Sequence, residues 1–143
     1  MDVAFQRKLR MVAAAVFSKH PILAAYAYGS RIQGRPRPDS DLDVGYYLFP
    51  DMSAKGLPIR QEMSMAADLS ERLGVEVDLR DLDDAPLELR GRVLEEGYRI
   101  YSGDDVLRVS LERTTLSFYH DYKDVFRNMH EVRLRSKAKR RVT

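Results

Sequence analysis

The stretch Ile22–Tyr28 constrains the fold most: an unbroken run of Ile, Leu, Ala and Tyr, closed by Pro21 before it and Gly29 after it. A run this short and this apolar fits a strand buried on both faces better than a helix. Residues 30–39 contain Gly34, Pro36 and Pro38, which excludes a long regular element, so a loop follows. A second strand is predicted over residues 41–48, where Leu42, Val44, Tyr46 and Leu48 alternate with Asp41, Asp43, Gly45 and Tyr47. Alternation returns at residues 75–79, with Val75, Val77 and Leu79 on one face and Asp78 on the other, and residues 98–101 supply a short edge strand.

Helical periodicity fills the gaps. Asp2 caps a helix running to about Lys19, with Val3, Leu9, Val12, Ala13 and Val16 near one face, ended by Pro21. Residues 57–73 form a second helix, stopped by Gly74, whose predicted apolar stripe is Ile59, Met63, Ala66 and Leu69 or Leu73. Asp83, Asp84 and Pro86 open a short helix that Gly97 stops, and a long helix begins near Asp104. No internal repeat interrupts this order. With 143 residues, 44% of them apolar, the chain buries one core, so the expectation is an α+β fold: about four short strands in a mixed sheet backed by helices. Residues 1–102 form the body, and residues 103–143 a C-terminal helix and basic tail, either part of that domain or an extension that docks a partner.

Composition removes several functions. The chain has no Cys, which excludes a disulfide framework, a thiolate zinc site and a cysteine nucleophile, and fits a reducing, cytoplasmic setting. The apolar stretch after Arg7, Lys8 and Arg10 is too short and too soon interrupted, by Lys19 and His20, for a signal sequence, and nothing approaches a membrane span. Net charge is only +2, yet residues 103–143 carry 10 basic and 6 acidic side chains against 14 and 16 upstream. Arg133, Arg135, Lys137, Lys139, Arg140 and Arg141 make the basic tail, which reads first as a solvated end and second as a contact for acidic surface or nucleic acid. His20, His120 and His130 lack metal-ligand spacing.

The chemistry concentrates in Gly29-Ser30, ten intervening residues, and Asp41-Leu42-Asp43. A glycine at a strand end lets backbone approach a ligand closely, and exposed amides with the Ser30 hydroxyl can donate to phosphate oxygens. Aspartates at i and i+2 on a strand share a face; they repel one another, but together suit Mg²⁺, whose shell phosphate and water oxygens complete. Asp78 offers a third carboxylate if its strand pairs beside that of Asp41, enough for two metal ions or for a general base acting on an acceptor. Arg31, Arg35 and Arg37 are further candidates for phosphate contact or simply solvated.

The motif from Gly29 through Asp43 resembles the G-S-x10-D-x-D signature of the polymerase-beta-like nucleotidyltransferase superfamily, and Gly34 and Ser40 resemble the form common in its minimal nucleotidyltransferases. Residues 77–82 resemble the strand bearing the third acid. The resemblance implies transfer of a nucleotide, commonly AMP from ATP, to a hydroxyl, with Gly29, Ser30 and Arg31 at the phosphates and Asp41, Asp43 and Asp78 at the metals, most often two Mg²⁺ ions. Enzymes of this size resemble antitoxins paired with HEPN-domain toxins, and in such pairs the acceptor is a tyrosine of the toxin. Three alternatives stay open: a binding antitoxin without catalysis, an enzyme acting on RNA ends, and one acting on a small molecule such as an aminoglycoside.

In the last helix Leu111, Thr115, Phe118, Tyr122, Val125, Met129 and Val132 recur at alternating spacings of four and three, the seam of a heptad repeat, with Leu116, Tyr119 and Phe126 beside it. Beyond about Tyr119 this surface is expected to dock on a helical partner or a second copy, with the basic tail on acidic surface.

Overall fold

In the computed structural model the described residues are 2–29, 31, 32 and 41–142, with residue 126 and residues 138–142 described by their helical backbone alone. The order is α1 (Val3–Phe17), β1 (Ile22–Tyr28), β2 (Leu42–Leu48), α2 (Pro50–Ser53), α3 (Ile59–Leu73), β3 (Val77–Asp81), a 3₁₀ turn (Leu82–Asp84), α4 (Leu87–Glu96), β4 (Tyr98–Ser102) and α5 (Asp105–Val142). The four strands form one mixed sheet in the order β3-β2-β1-β4. β1 pairs antiparallel with β2 and β4, while β2 and β3 run parallel because α3 carries the chain back over the sheet between them.

The sheet separates two apolar layers. On one face Leu42, Val44, Tyr46 and Leu48 of β2 meet Leu9, Ala13, Val16 and Phe17 of α1 and Met65, Leu69 and Leu73 of α3. On the other, Leu23, Tyr26 and Tyr47 meet Leu82, Ala85 and Val93, with Leu89 and Leu111 at the edge. Tyr26 and Tyr47 pack edge to face there, their ring centroids 6.3 Å apart. β1 and β2 are therefore covered on both sides, as the unbroken apolar run of β1 requires.

Two predicted stripes hold in part: Leu9, Val12, Ala13 and Val16 of α1 and Ala66, Leu69 and Leu73 of α3 join the core as expected, and the ends differ. In α3, Ile59 and Met63 are exposed, and the buried row runs through Met65, Leu69 and Leu73. The polar Glu62 takes the inward place that Met63 was expected to hold, because the Tyr46 hydroxyl donates to its carboxylate at 2.9 Å. That bond and burial both push the Tyr46 hydroxyl to higher pKa. In α1, Val3 is exposed and Phe17 completes the buried face. The third strand also begins two residues later than predicted, at Val77, whose amide donates to the Ser70 hydroxyl of α3 at 2.9 Å. The turn of helix at Pro50–Ser53 was not anticipated.

α5 is fixed to the body over its first half only. Arg108, 8% exposed, reaches Glu112 and Asp105 on its own helix and the Ser102 hydroxyl at the end of β4. Thr115 and Tyr119 are buried, and the Tyr119 ring occupies the space where Gly91 of α4 lacks a side chain: a Cβ at Gly91 would fall inside the ring. His120 and Lys123 then bracket Glu95 of α4 at 3.1 and 3.8 Å. Phe118, Tyr122, Val125, Met129 and Val132 are all exposed, so the predicted seam divides: Leu111 and Thr115 pack on the body, and the remainder faces outward.

The Gly91 contact makes a simple prediction. Gly91→Ala should lower stability by roughly 1–3 kcal/mol through overpacking against Tyr119, and the same change made in a Tyr119→Ala background should cost far less. Urea denaturation of the two single variants and the double variant measures the coupling; additive losses would mean that the two residues do not share this space.

Candidate active site

β2 is buried along its length except at its start, where Asp43 is half-buried and Asp41, just before the strand, is exposed. Side-chain alternation puts Asp43 on the face shared with Tyr47, opposite the α1–α3 layer. The parallel register then sets Asp43 directly beside Asp78 of β3, with Leu42 beside Val77 and Val44 beside Leu79. Neighbouring strands lie about 4.8 Å apart, so these two carboxylates emerge side by side, and Asp41 lies two residues before Asp43. On the other side of β2, Asp43 pairs with Tyr28, the last residue of β1.

Gly29 follows Tyr28 with a φ of +88°, a left-handed conformation that favours glycine, and a Cβ there would run into the Asp43 carboxylate. The glycine is thus needed twice, for the turn and for the close approach to Asp43. The turn continues through Arg31 to Ile32, whose amide donates to the Gly29 carbonyl at 3.1 Å. Ser30 lies outside the described residues, as do Gly34, Arg35, Arg37 and Ser40.

The electrostatics are those of a carboxylate site waiting for positive charge. Burial raises the pKa of Asp43, and the charges of Asp78 and Asp41 raise it further. Tyr28 is drawn into the same field: burial raises its hydroxyl pKa, Asp43 and Asp78 add to this, and Arg80 opposes it. Among the described residues no group of three acid, cysteine or histidine side chains is placed closely enough to hold a metal ion by itself. An all-oxygen, half-solvated set still suits Mg²⁺, which holds one or two carboxylates and completes its shell from phosphate and water. Asp43, Asp41 and Asp78 are the residues that would hold it.

Sequence reasoning missed part of the rim. A small cavity of about 80 Å³ at Gly29 is lined by Tyr28, Leu89, Arg92, Val93 and Glu96, so α4 borders the turn that follows β1, with Arg92 among its lining residues. Only the tertiary fold brings α4 there; the one local signal was the placement of Tyr28 immediately before Gly29. Larger depressions lie along α5, away from the carboxylates, and it is donor chemistry rather than volume that marks the site.

Asp43 gives a stability test. Its pKa is higher in the fold than the ordinary carboxylate value, so the stability tied to its protonated form is present at low pH and lost as pH rises through the raised value. Asp43→Asn should therefore raise the melting temperature of the metal-free protein at neutral pH, and the gain should vanish as pH falls below the ordinary carboxylate range. A variant that melts lower than wild type at pH 7 would contradict this reading of the site.

Residues 13–106 match the family described as Polymerase beta, Nucleotidyltransferase. No curated protein matched the chain. Among solved structures, a chain of a toxin–antitoxin complex crystallised with AMP-PNP superposes with a TM-score of 0.64 and 23% identity, covering 89% of this chain and 97% of that one. A chain from the complex of a tri-AMPylated Shewanella oneidensis HEPN toxin with its MNT antitoxin gives a TM-score of 0.63 at 20% identity, with coverages of 89% and 98%. A structure described as a candidate minimal nucleotidyltransferase gives 0.55 at 27% identity, over 68% of this chain and 94% of that one. These likenesses show a shared fold. The family match spans most of the body and both strands that carry the Asp-x-Asp pair and Asp78, and the chain belongs to the polymerase beta nucleotidyltransferase family.

Proposed function

We propose that the chain transfers AMP from ATP to a tyrosine hydroxyl on a HEPN-domain toxin, and so acts in the cytoplasm as the antitoxin of a toxin–antitoxin pair. The observation that carries this reading is the register that sets Asp43 beside Asp78, with Gly29 pressed against Asp43. The likeness to chains from complexes of MNT antitoxin with HEPN toxin, one of them tri-AMPylated, supports the choice of acceptor. No helix among the described residues is long and apolar enough to cross a membrane.

The roles divide by position. Gly29, with the Ser30 hydroxyl and Arg31, receives the triphosphate at the end of β1, where close backbone approach is possible. Asp41 and Asp43 would hold the Mg²⁺ that accompanies the triphosphate, offsetting its charge and polarising the reacting phosphate, and Asp78 would serve the acceptor side, as ligand of a second ion or as base. The acceptor oxygen attacks the α-phosphorus of ATP, and the bond from that phosphorus to the oxygen bridging the β-phosphate breaks. Pyrophosphate leaves, and the hydroxyl proton passes to Asp78. Asp78 suits this task because it is exposed at the sheet edge, where an acceptor can approach.

The test is transfer of label from α-labelled ATP to the partner toxin in the presence of magnesium. Asp41→Asn and Asp43→Asn should abolish transfer with the fold intact. Asp78→Asn should reduce it about 10²–10⁴-fold, the usual contribution of a positioned base, while Mg-ATP binding measured by calorimetry stays near wild type. Wild-type transfer in either of the first two variants would remove the catalytic assignment. Loss of Mg-ATP binding in the third would place Asp78 with the triphosphate metal. Labelling of RNA or an aminoglycoside in place of the toxin would reassign the acceptor.

A further inference from the structure

We infer that the outer half of α5 pairs antiparallel with the same segment of a second copy of this chain, making the protein a dimer through its C-terminal helices. The inference is independent of which acceptor is used.

The surface is apolar, periodic and uncovered. Tyr122, Val125, Met129 and Val132 are 49%, 45%, 51% and 59% exposed and lie on one face of α5, with a shallow groove of about 380 Å³ between Val125, Asn128, Met129 and Val132. Spacings of three and four along a continuous helix make these residues the a and d positions of a heptad seam, whose knobs need holes on a facing helix. A lone helix with such a stripe would be marginal in water. Here the costly first turns are already formed on the body, held by Tyr119 against Gly91 and by Glu95 against His120 and Lys123.

Charge selects the occupant. In this heptad frame the flanking g positions of the outer half are Asp121, Asn128 and Arg135, all exposed. Antiparallel helices bring g positions opposite g positions. If Val125 of one copy meets Met129 of the other, Tyr122 meets Val132, Asp121 faces Arg135 at both ends, and Asn128 faces its own copy on the two-fold axis. The seam and its g flank are thereby matched: four apolar layers, two ion pairs related by symmetry, and one amide pair that fixes register. No described residue hydrogen-bonds or pairs with Asp121 or Arg135 within the chain, so both charges are available. A parallel arrangement would set the two basic ends, with Arg133, Arg135 and Lys137 on each copy, side by side, where like charges repel.

Light scattering of the full chain alone, at tens of micromolar and moderate salt, should give the mass of a dimer. Val125→Asp with Met129→Asp should give a monomer, because burying unpaired charges in the seam is prohibitive. Asp121→Arg should weaken the dimer about tenfold by setting arginine against arginine at both ends. Adding Arg135→Asp to it should restore wild-type association, a rescue that only the antiparallel register allows. The two surface charge variants keep the test valid should the double seam variant fail to fold, which circular dichroism would report. A monomeric wild type, a dimer indifferent to all of these changes, or a seam that is covered only when a different protein is added would each overturn the inference. Mass, not nucleotide transfer, is the readout, so failure here leaves the proposed activity standing, and the reverse.

Discussion

The architecture turns on the parallel pairing of β2 with β3. Lying between β1 and β3 and covered on both faces by apolar layers, β2 is buried along most of its length, and its acidic residue sits at its start. The parallel partner then aligns that residue with the polar face of β3, so two carboxylates arrive side by side at the sheet's edge. An antiparallel third strand in the same place would have a different register and would carry Asp78 in the opposite direction. The crossover through α3 is what permits the parallel sense, and the Ser70 hydroxyl at its end receives the Val77 amide, where β3 begins.

Placing these carboxylates together costs stability in the absence of a cation, since burial and the charges of Asp78 and Asp41 raise the work of ionising Asp43. The rest of the body absorbs that cost through two continuous apolar layers. Gly29 shows the same economy at the atomic scale: the one residue type that tolerates its backbone angle is also the one that leaves room for the Asp43 carboxylate. Family membership places nucleotidyl chemistry in this fold, and under the proposed roles the acceptor is whatever approaches the exposed edge at Asp78.

Much of this was legible in the chain because its signals were local. The run Ile22–Tyr28 became β1 at the predicted bounds, and the alternation from Asp41 onward became β2 with Asp43 on the predicted face. The expected four-stranded mixed sheet and long last helix are present. The pairing of the Asp78 strand beside β2 also held, and what differed were details that turn on single side-chain contacts across the fold. Met63 looked like core until Tyr46 claimed the adjacent Glu62. The approach of α4 to the turn at Gly29, through Arg92 and Val93, is set by the tertiary fold. The heptad in α5 was visible, but the point at which it leaves the body depends on Gly91, a residue that sequence periodicity cannot assign to a contact.

That departure point has a mechanical meaning. From Tyr119 to the end of α5 the helix extends roughly 35 Å at 1.5 Å per residue, and its inner attachment is a ring set in a notch together with two exposed ionic contacts. A rigid rod held so near its middle behaves as a lever: a tilt of about 10° at the notch carries the tip roughly 6 Å over that length. The fit of Tyr119 at Gly91, together with the contacts of Arg108, Leu111 and Thr115 before it, thus bears on the aim of a surface about 35 Å away.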